Sequence, residues 1–346
     1  MKVIITGGAG FIGSNAANRY LRCGDDIIIV DDLSRHGTGK NLEWLESQGS
    51  LEFVRLDIRD ADGLRKLFRD NRDADRILHL AGQVAVTTSV TSPRQDFEIN
   101  AIGTFNVLEA MRLAGLNAPL IYSSTNKVYG EMTDVGAVER NGRYAYESLP
   151  FGVSEQRNLD FHSPYGCSKG AADQYVIDYH RIYGLHTTVF RQSCIYGYRQ
   201  FGAEDQGWVA WFMIASQLGR PITVFGDGKQ VRDILFIDDL LDAYDAAFAA
   251  GEAAAGRVYN IGGGPDNVLS LLELLAYIEK RQKQKLSYDF ADWRPGDQKA
   301  FISDIRSARA ELGWAPKTGC QRGLDLLYDW VEQNKALFLE PAPVIP

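Results

Sequence analysis

Five short runs of aliphatic and β-branched residues, at positions 3–6, 27–30, 51–54, 76–80 and 120–123, are separated by stretches in which apolar residues recur every three or four positions. A compact apolar run reads as a strand and the longer period as a helix, so the first part of the chain predicts repeated strand–helix–strand units. Strands this uniformly apolar are buried on both faces, which calls for a parallel sheet covered by helices on each side with right-handed crossovers. Ligands of such sheets bind beyond the carboxyl ends of the strands.

Residues 131–162 break the rhythm, crowding glycine, asparagine, proline, tyrosine and charges between two segments that carry candidate chemistry. A long irregular connection of this kind reads as an excursion facing a substrate. Beyond Tyr196 helical patterns are expected at 208–218, 238–250, 269–281 and 304–312, separated by glycine turns, and they predict a smaller lobe. The expected division is a large lobe over 1–195, a smaller one over 196–338 with some chain crossing between them, and a proline-rich tail at 339–346.

A chain of 346 residues with 45% hydrophobic content can cover one large sheet and an appended lobe. Its net charge of −8 argues against nucleic acid or an anionic membrane as partner. No stretch approaches the roughly 20 apolar residues of a bilayer span, so a cytoplasmic location is expected. Cys23, Cys167, Cys194 and Cys320 lie far apart with no paired spacing, and neither a metal site nor a disulfide framework is expected.

The first strand runs into Thr6-Gly7-Gly8-Ala9-Gly10-Phe11-Ile12-Gly13, with a helix expected from Phe11 to about Arg22. Glycines allow a sharp turn and close approach of backbone to a pyrophosphate, whose charge suits the free amides of a helix N-terminus. Gly7, Gly10, Phe11, Ile12 and Gly13 are therefore candidates for a dinucleotide site. About twenty residues on, Asp31 and Asp32 end the second strand, where a carboxylate accepts hydrogen bonds from the adenosine ribose. Asp31 would repel a 2′-phosphate, which favours NAD over NADP, although Arg35 beside Ser34 in the same turn argues the other way. Asp57 and Ile58 after the third strand are expected to flank the adenine, and Leu80, Ala81 and Gly82 after the fourth to line the cofactor.

Tyr165 and Lys169 stand four residues apart at the start of a helical run, so they share a face. A free phenol has a pKa of about 10 and needs help to act as a base near neutrality. One ammonium at about 4 Å, in an effective dielectric of about 20, supplies roughly 4 kcal/mol, or nearly three pKa units. The fifth strand ends in Ser123-Ser124-Thr125, whose hydroxyls emerge at the same sheet edge, and Thr125 is the candidate for holding the reacting oxygen.

Together Gly7, Gly10, Gly13, Asp31, Asn100, Thr125, Tyr165 and Lys169 resemble the pattern of the extended short-chain dehydrogenase/reductase family, over residues 1 to about 330. The resemblance implies an α/β, Rossmann-type doubly wound parallel sheet with a smaller α/β C-terminal substrate lobe. It also implies bound NAD, to which Asn100, Ser123, Gln192, Tyr165 and Lys169 contribute. Within the family, Ser-Ser-Thr-Asn-Lys-Val-Tyr-Gly at 123–130, the string at 160–175 and Asp-Gln-Gly-Trp-Val at 205–209 are similar to members that invert carbon 2 of a CDP-linked hexose through a transient 2-keto sugar. On that likeness Tyr165 exchanges the proton, Thr125 and Asn126 meet the sugar, and Arg232 and Arg294 meet the diphosphate, a role suited to forked guanidiniums. Gln206, Trp208 and Arg199 are expected near the base. Cys194 stands where many relatives carry an asparagine, leaving one diphosphate contact in doubt. A homo-oligomer packing through helices near 97–114 and 166–180 is implied as well.

Two further readings stay open. A 4-epimerase differs only in which sugar carbon meets the cofactor, and a dinucleotide sensor would share the fold without the chemistry. A 4,6-dehydratase needs an acid pair directly after the threonine, where this chain has Asn126 and Lys127.

Overall fold

The computed structural model describes residues 1–294 and 297–339. Most of the expected tail, 340–346, lies outside the described residues. Strands β1 (Lys2–Thr6), β2 (Asp26–Asp31), β3 (Glu52–Arg55), β4 (Arg76–His79) and β5 (Leu120–Thr125) begin the main sheet. A hairpin, β6 (Ala137–Arg140) and β7 (Arg143–Tyr146), lies in the excursion, followed by β8 (Thr187–Gln192), β9 (Cys194–Tyr196), β10 (Thr223–Phe225), β11 (Val231–Phe236) and β12 (Val258–Ile261). The main sheet has seven strands in the order β12-β8-β5-β4-β1-β2-β3, all parallel. This is the expected doubly wound α/β sheet.

Strand β5 extends beyond its apolar run to Thr125, because Ser124 and Thr125 still pair with Arg191 and Gln192 of β8. That extension carries the hydroxyls to the sheet edge. Alternation along the strands serves two cores: Ile5, Ile29, Leu78 and Ile121 face one side, Ile4, Ile28, Ile77 and Tyr122 the other.

Helices α1 (Phe11–Arg22), α2 (Thr38–Gln48), α3 (Ala61–Asp70), α4 (Val86–Thr91), α5 (Pro93–Phe97), α6 (Gly103–Ala114), α7 (Ser163–Tyr183), α8 (Trp208–Leu218) and α9 (Ile237–Ala250) follow in chain order. Between α5 and α6 the chain widens into one π-helical turn, Glu98–Ile102. The helix expected from 269 starts at Leu271 instead. Leu269 belongs to strand β13 (Val268–Ser270), paired with β11, and Ser270 caps the helix in a reciprocal arrangement with Glu273. The helix expected from 304 starts at Arg306, whose amide is taken by the Asp304 carboxylate at 3.1 Å.

A smaller sheet gathers β9, β11, β13 and β15 (Ala300–Phe301), while β10 pairs with β14 (Asp289–Ala291). We propose two lobes on this basis. The chain crosses between them more than once: β12 returns to the main sheet beside β8, and α9 docks on α1 through Arg19, which bridges Asp242 (2.8 Å) and Asp245 (3.0 Å). The excursion packs its own cluster, with Tyr146 and Val153, against Val231 and Phe301 of the smaller sheet.

Candidate active site

The parallel strands β1, β2, β4, β5 and β8 bring their carboxyl ends to one edge of the main sheet, where ligands of such sheets bind. At that edge Gly7 has φ +70°, and a Cβ there would come within 2.6 Å of the Ala81 backbone nitrogen. A Cβ on Gly13 would lie 2.3 Å from the Gly7 carbonyl oxygen. These two glycines are required by close backbone packing. Above Gly10 a Cβ would meet only the Gly7 oxygen, at 3.1 Å, and Gly10 enters α1 without a side-chain cap. The first amides of α1, at Phe11 and Ile12, thus have no capping side chain, a setting that suits a phosphate.

Asp31, 8% exposed, accepts hydrogen bonds from the amides of Ala9 (3.1 Å) and Leu33 (2.9 Å). Burial raises its pKa, and those amides pull it down. Asp32 is tied to Ser34, whose amide and hydroxyl reach it at 2.9 and 2.7 Å. Asp57 binds Arg59 at 2.6 Å, and Ile58 is buried against Gly103. Both follow β3 at the sheet edge, held by these contacts. The glycine cradle, the uncapped amides and a carboxylate at the end of β2 fit NAD.

Tyr165 and Lys169 project from the first turns of α7 into the end of β5, and they are 7% and 5% exposed. The Tyr165 hydroxyl shares a hydrogen bond with Thr125. Thr125 also accepts from the Lys127 amide at 3.2 Å and lies 3.4 Å from Asn126 Oδ1. Lys169 Nζ donates to the Ser123 carbonyl at 2.6 Å. Burial pushes Tyr165 up to about 12, against the Thr125 hydrogen bond, and Lys169 down to about 7, against the pull of Asp173 and Asp96. In the chain without cofactor, removal from water is the largest influence on both groups, and it favours the neutral phenol and the neutral amine. Gln192 at the end of β8 donates to the Tyr244 hydroxyl at 2.8 Å.

The substrate side is less uniform. Arg232 donates to Asp297 (2.5 Å) and to the Gln298 carbonyl (2.8 Å). Lys127 lies within reach of the charges of Arg232, Asp297 and Glu131. Residues 203–206 make a tight turn, a short strap in which Ala203 and Gln206 exchange backbone hydrogen bonds. Three consecutive residues of that strap are held from elsewhere. Arg294, stacked on Phe225 at 3.9 Å, donates to the Glu204 carbonyl (3.1 Å), Thr87 donates to Asp205 (2.7 Å), and Arg35 donates to Gln206 (2.9 Å). Trp208 opens α8 against Phe212 and shares a hydrogen bond with Cys194. Arg199 instead stacks on Trp44 of α2 at 4.1 Å, on the large lobe.

Sequence reasoning missed Asp96, Ser168 and Gln83, which form a buried cluster with Asn100 behind Tyr165. A signal existed: Asp96 precedes Asn100 by four residues, one helical turn. Among the described residues no group of histidine, cysteine or carboxylate side chains could hold a metal ion, and no helix is long and apolar enough to cross a membrane.

Comparison with known proteins follows this geometry. The family model described as GDP-mannose 4,6 dehydratase matches residues 4–327. CDP-paratose 2-epimerase of Salmonella typhi is 47% identical over 95% of this chain and 99% of its own. UDP-glucose 4-epimerase of Mycolicibacterium smegmatis is 35% identical over 94% of this chain and 96% of its own. Among solved structures, dTDP-glucose 4,6-dehydratase of Streptomyces venezuelae with NAD bound superposes with a TM-score of 0.83 at 28% identity, covering 97% of this chain and 98% of that one. Sequence match and shared architecture agree over nearly the whole length, and the chain belongs to the GDP-mannose 4,6 dehydratase family of extended short-chain dehydrogenase/reductases.

Proposed function

We propose that this chain is an NAD-dependent nucleotide-sugar epimerase that inverts carbon 2 of a CDP-linked hexose. The observation that carries the reading is the placement of Tyr165 against Thr125, with Lys169 buried beside them, at the sheet edge next to the dinucleotide cradle. The choice of carbon 2 and of a CDP-sugar is supported by the likeness to CDP-paratose 2-epimerase.

Gly7, Gly10 and Gly13 with the amides of Phe11 and Ile12 hold the pyrophosphate, Asp31 and Asp32 the adenosine ribose, and Asn100, Leu80, Ala81 and Gly82 the nicotinamide half. When bound, NAD supplies hydride acceptance and return, by way of a 2-keto sugar. Tyr165 takes the proton of the sugar hydroxyl and gives it back. Thr125 orients the reacting oxygen, and the Lys169 ammonium offsets charge on the phenolate oxygen. Arg232 and Arg294 receive the diphosphate, with Asn126, Gln206 and Trp208 completing the substrate side. Asn126 and Lys127 lack the carboxylates that elimination of water requires, which supports epimerisation over dehydration. We also propose that the protein self-associates through α6 and α7.

The test is to incubate purified protein, without added NAD, with CDP-glucose and with CDP-paratose in deuterated water and to follow the sugars by proton NMR. Inversion at carbon 2 without solvent deuterium there is expected. Inversion at carbon 4 would replace the reading with a 4-epimerase, and no change in either sugar would overturn it.

A further inference from the structure

Asp96 lies in α5 and is 1% exposed. One carboxylate oxygen accepts from Gln83 Nε2 (2.8 Å) and Asn100 Nδ2 (3.1 Å), the other from the Ser168 hydroxyl (2.5 Å). All three donors are neutral. A buried carboxylate with only neutral partners is costly, so a nearby positive charge is expected.

The positive charge that acts on Asp96 is that of Lys169. The ideal Cβ position of Gly82 lies 3.0 Å from Asn100 Oδ1 and 3.8 Å from Lys169 Nζ, so the ammonium adjoins the cluster. Asp173, the other carboxylate acting on Lys169, differs: Arg191 holds it with two hydrogen bonds of 2.9 and 3.0 Å. Its charge is largely cancelled. The cluster also grips the turn after β4, since Asn100 accepts from the Gln83 amide (2.9 Å) and donates to the Gln83 carbonyl (3.0 Å).

We propose that Asp96 is a positioning residue of the reaction: through Ser168, Asn100 and Gln83 it locks the turn after β4 against α7, and its charge balances the Lys169 ammonium. The inference rests on the epimerase reading. The titratable and charged groups facing these residues are Tyr122 and Tyr165 toward Asp96, Asp173 and His79 toward Lys169, and Arg35 toward Tyr165. Burial holds His79 neutral, with a pKa of about 3.

The experiment compares wild type with Asp96→Asn, which keeps the shape and removes the charge. Loss of a negative charge makes the phenolate easier and the ammonium harder to form, so both titrations move to lower pH. The pH profile of kcat is expected to shift acidic by about one pH unit. The Tyr165 ionisation, followed by NMR of isotope-labelled tyrosine and assigned with Tyr165→Phe, is expected to move the same way. A profile that loses height without moving overturns the proposal. Ser168→Ala covers the case in which Asp96→Asn does not fold: it removes the hydroxyl link and keeps the charge, so kcat should fall at least tenfold with the profile in place. Wild-type kcat in that variant also overturns it. Wild-type protein inactive on both CDP-sugars fails the epimerase reading instead, which separates the two.

Discussion

Lys169 reaches back from α7 to give its ammonium to the Ser123 carbonyl across 2.6 Å, while its charge sits 4.2 Å from the centre of the Tyr122 ring. The lysine is therefore fixed to the same strand end that presents Thr125. Proton exchange and charge balance are built on one rigid edge.

Tyr165→Phe removes the proton-exchanging hydroxyl and little else. We expect turnover to fall by about 10²–10⁴-fold with bound NAD retained, read from the nucleotide released on denaturation. Turnover close to wild type in this variant would remove the central assignment.

The buried ammonium of Lys169 should be visible in stability. Its folded pKa of about 7 lies below the unfolded value of 10.5, so the cost of burying the charge is fully present below pH 7 and is relieved as pH rises toward 10.5. Lys169→Met should therefore raise Tm relative to wild type most at about pH 6 and progressively less at about pH 9. A Tm difference that does not change with pH would show that the lysine is not desolvated.

Arg191 and Asp173 form a fully buried ion pair whose carboxylate also accepts from Ser124 at 2.7 Å. Asp173→Asn leaves a guanidinium buried without its counter-charge. Denaturant unfolding should show a loss of about 3–5 kcal/mol. A change below about 1 kcal/mol would mean that solvent reaches the pair.

Helices α6 and α7 leave Leu113, Tyr175, Ile182 and Tyr183 about half exposed or more, and Phe105 packs edge-on against Tyr175. We propose this apolar face as the surface of self-association. Light scattering should give a dimer or larger assembly, and Ile182→Asp should shift it toward monomer. Wild-type protein that is monomeric throughout would refute the self-association.

The main sheet and the glycine turn were legible because each is local: strands announce themselves by apolar runs, and Gly7 to Gly13 sit in one short stretch. Tyr165 and Lys169 were legible for the same reason, being one helical turn apart. Asp96 was not, since its partners Gln83 and Ser168 come from 13 and 72 residues away, and a single acid in a short helix reads as a surface residue. The depth at which the phenol is buried was not legible, because sequence shows the neighbouring lysine but not how far both are removed from water. The stacking of Arg199 on Trp44 was not legible either, being a contact set by how α2 packs.

The strap ties Glu204, Asp205 and Gln206 to Arg294, Thr87 and Arg35, side chains from three distant stretches of the chain. On the epimerase reading, each catalytic cycle returns the coenzyme to its starting oxidation state. The reaction then neither consumes reducing power nor delivers any, and its rate is insulated from the balance of oxidised and reduced nucleotides in the surroundings.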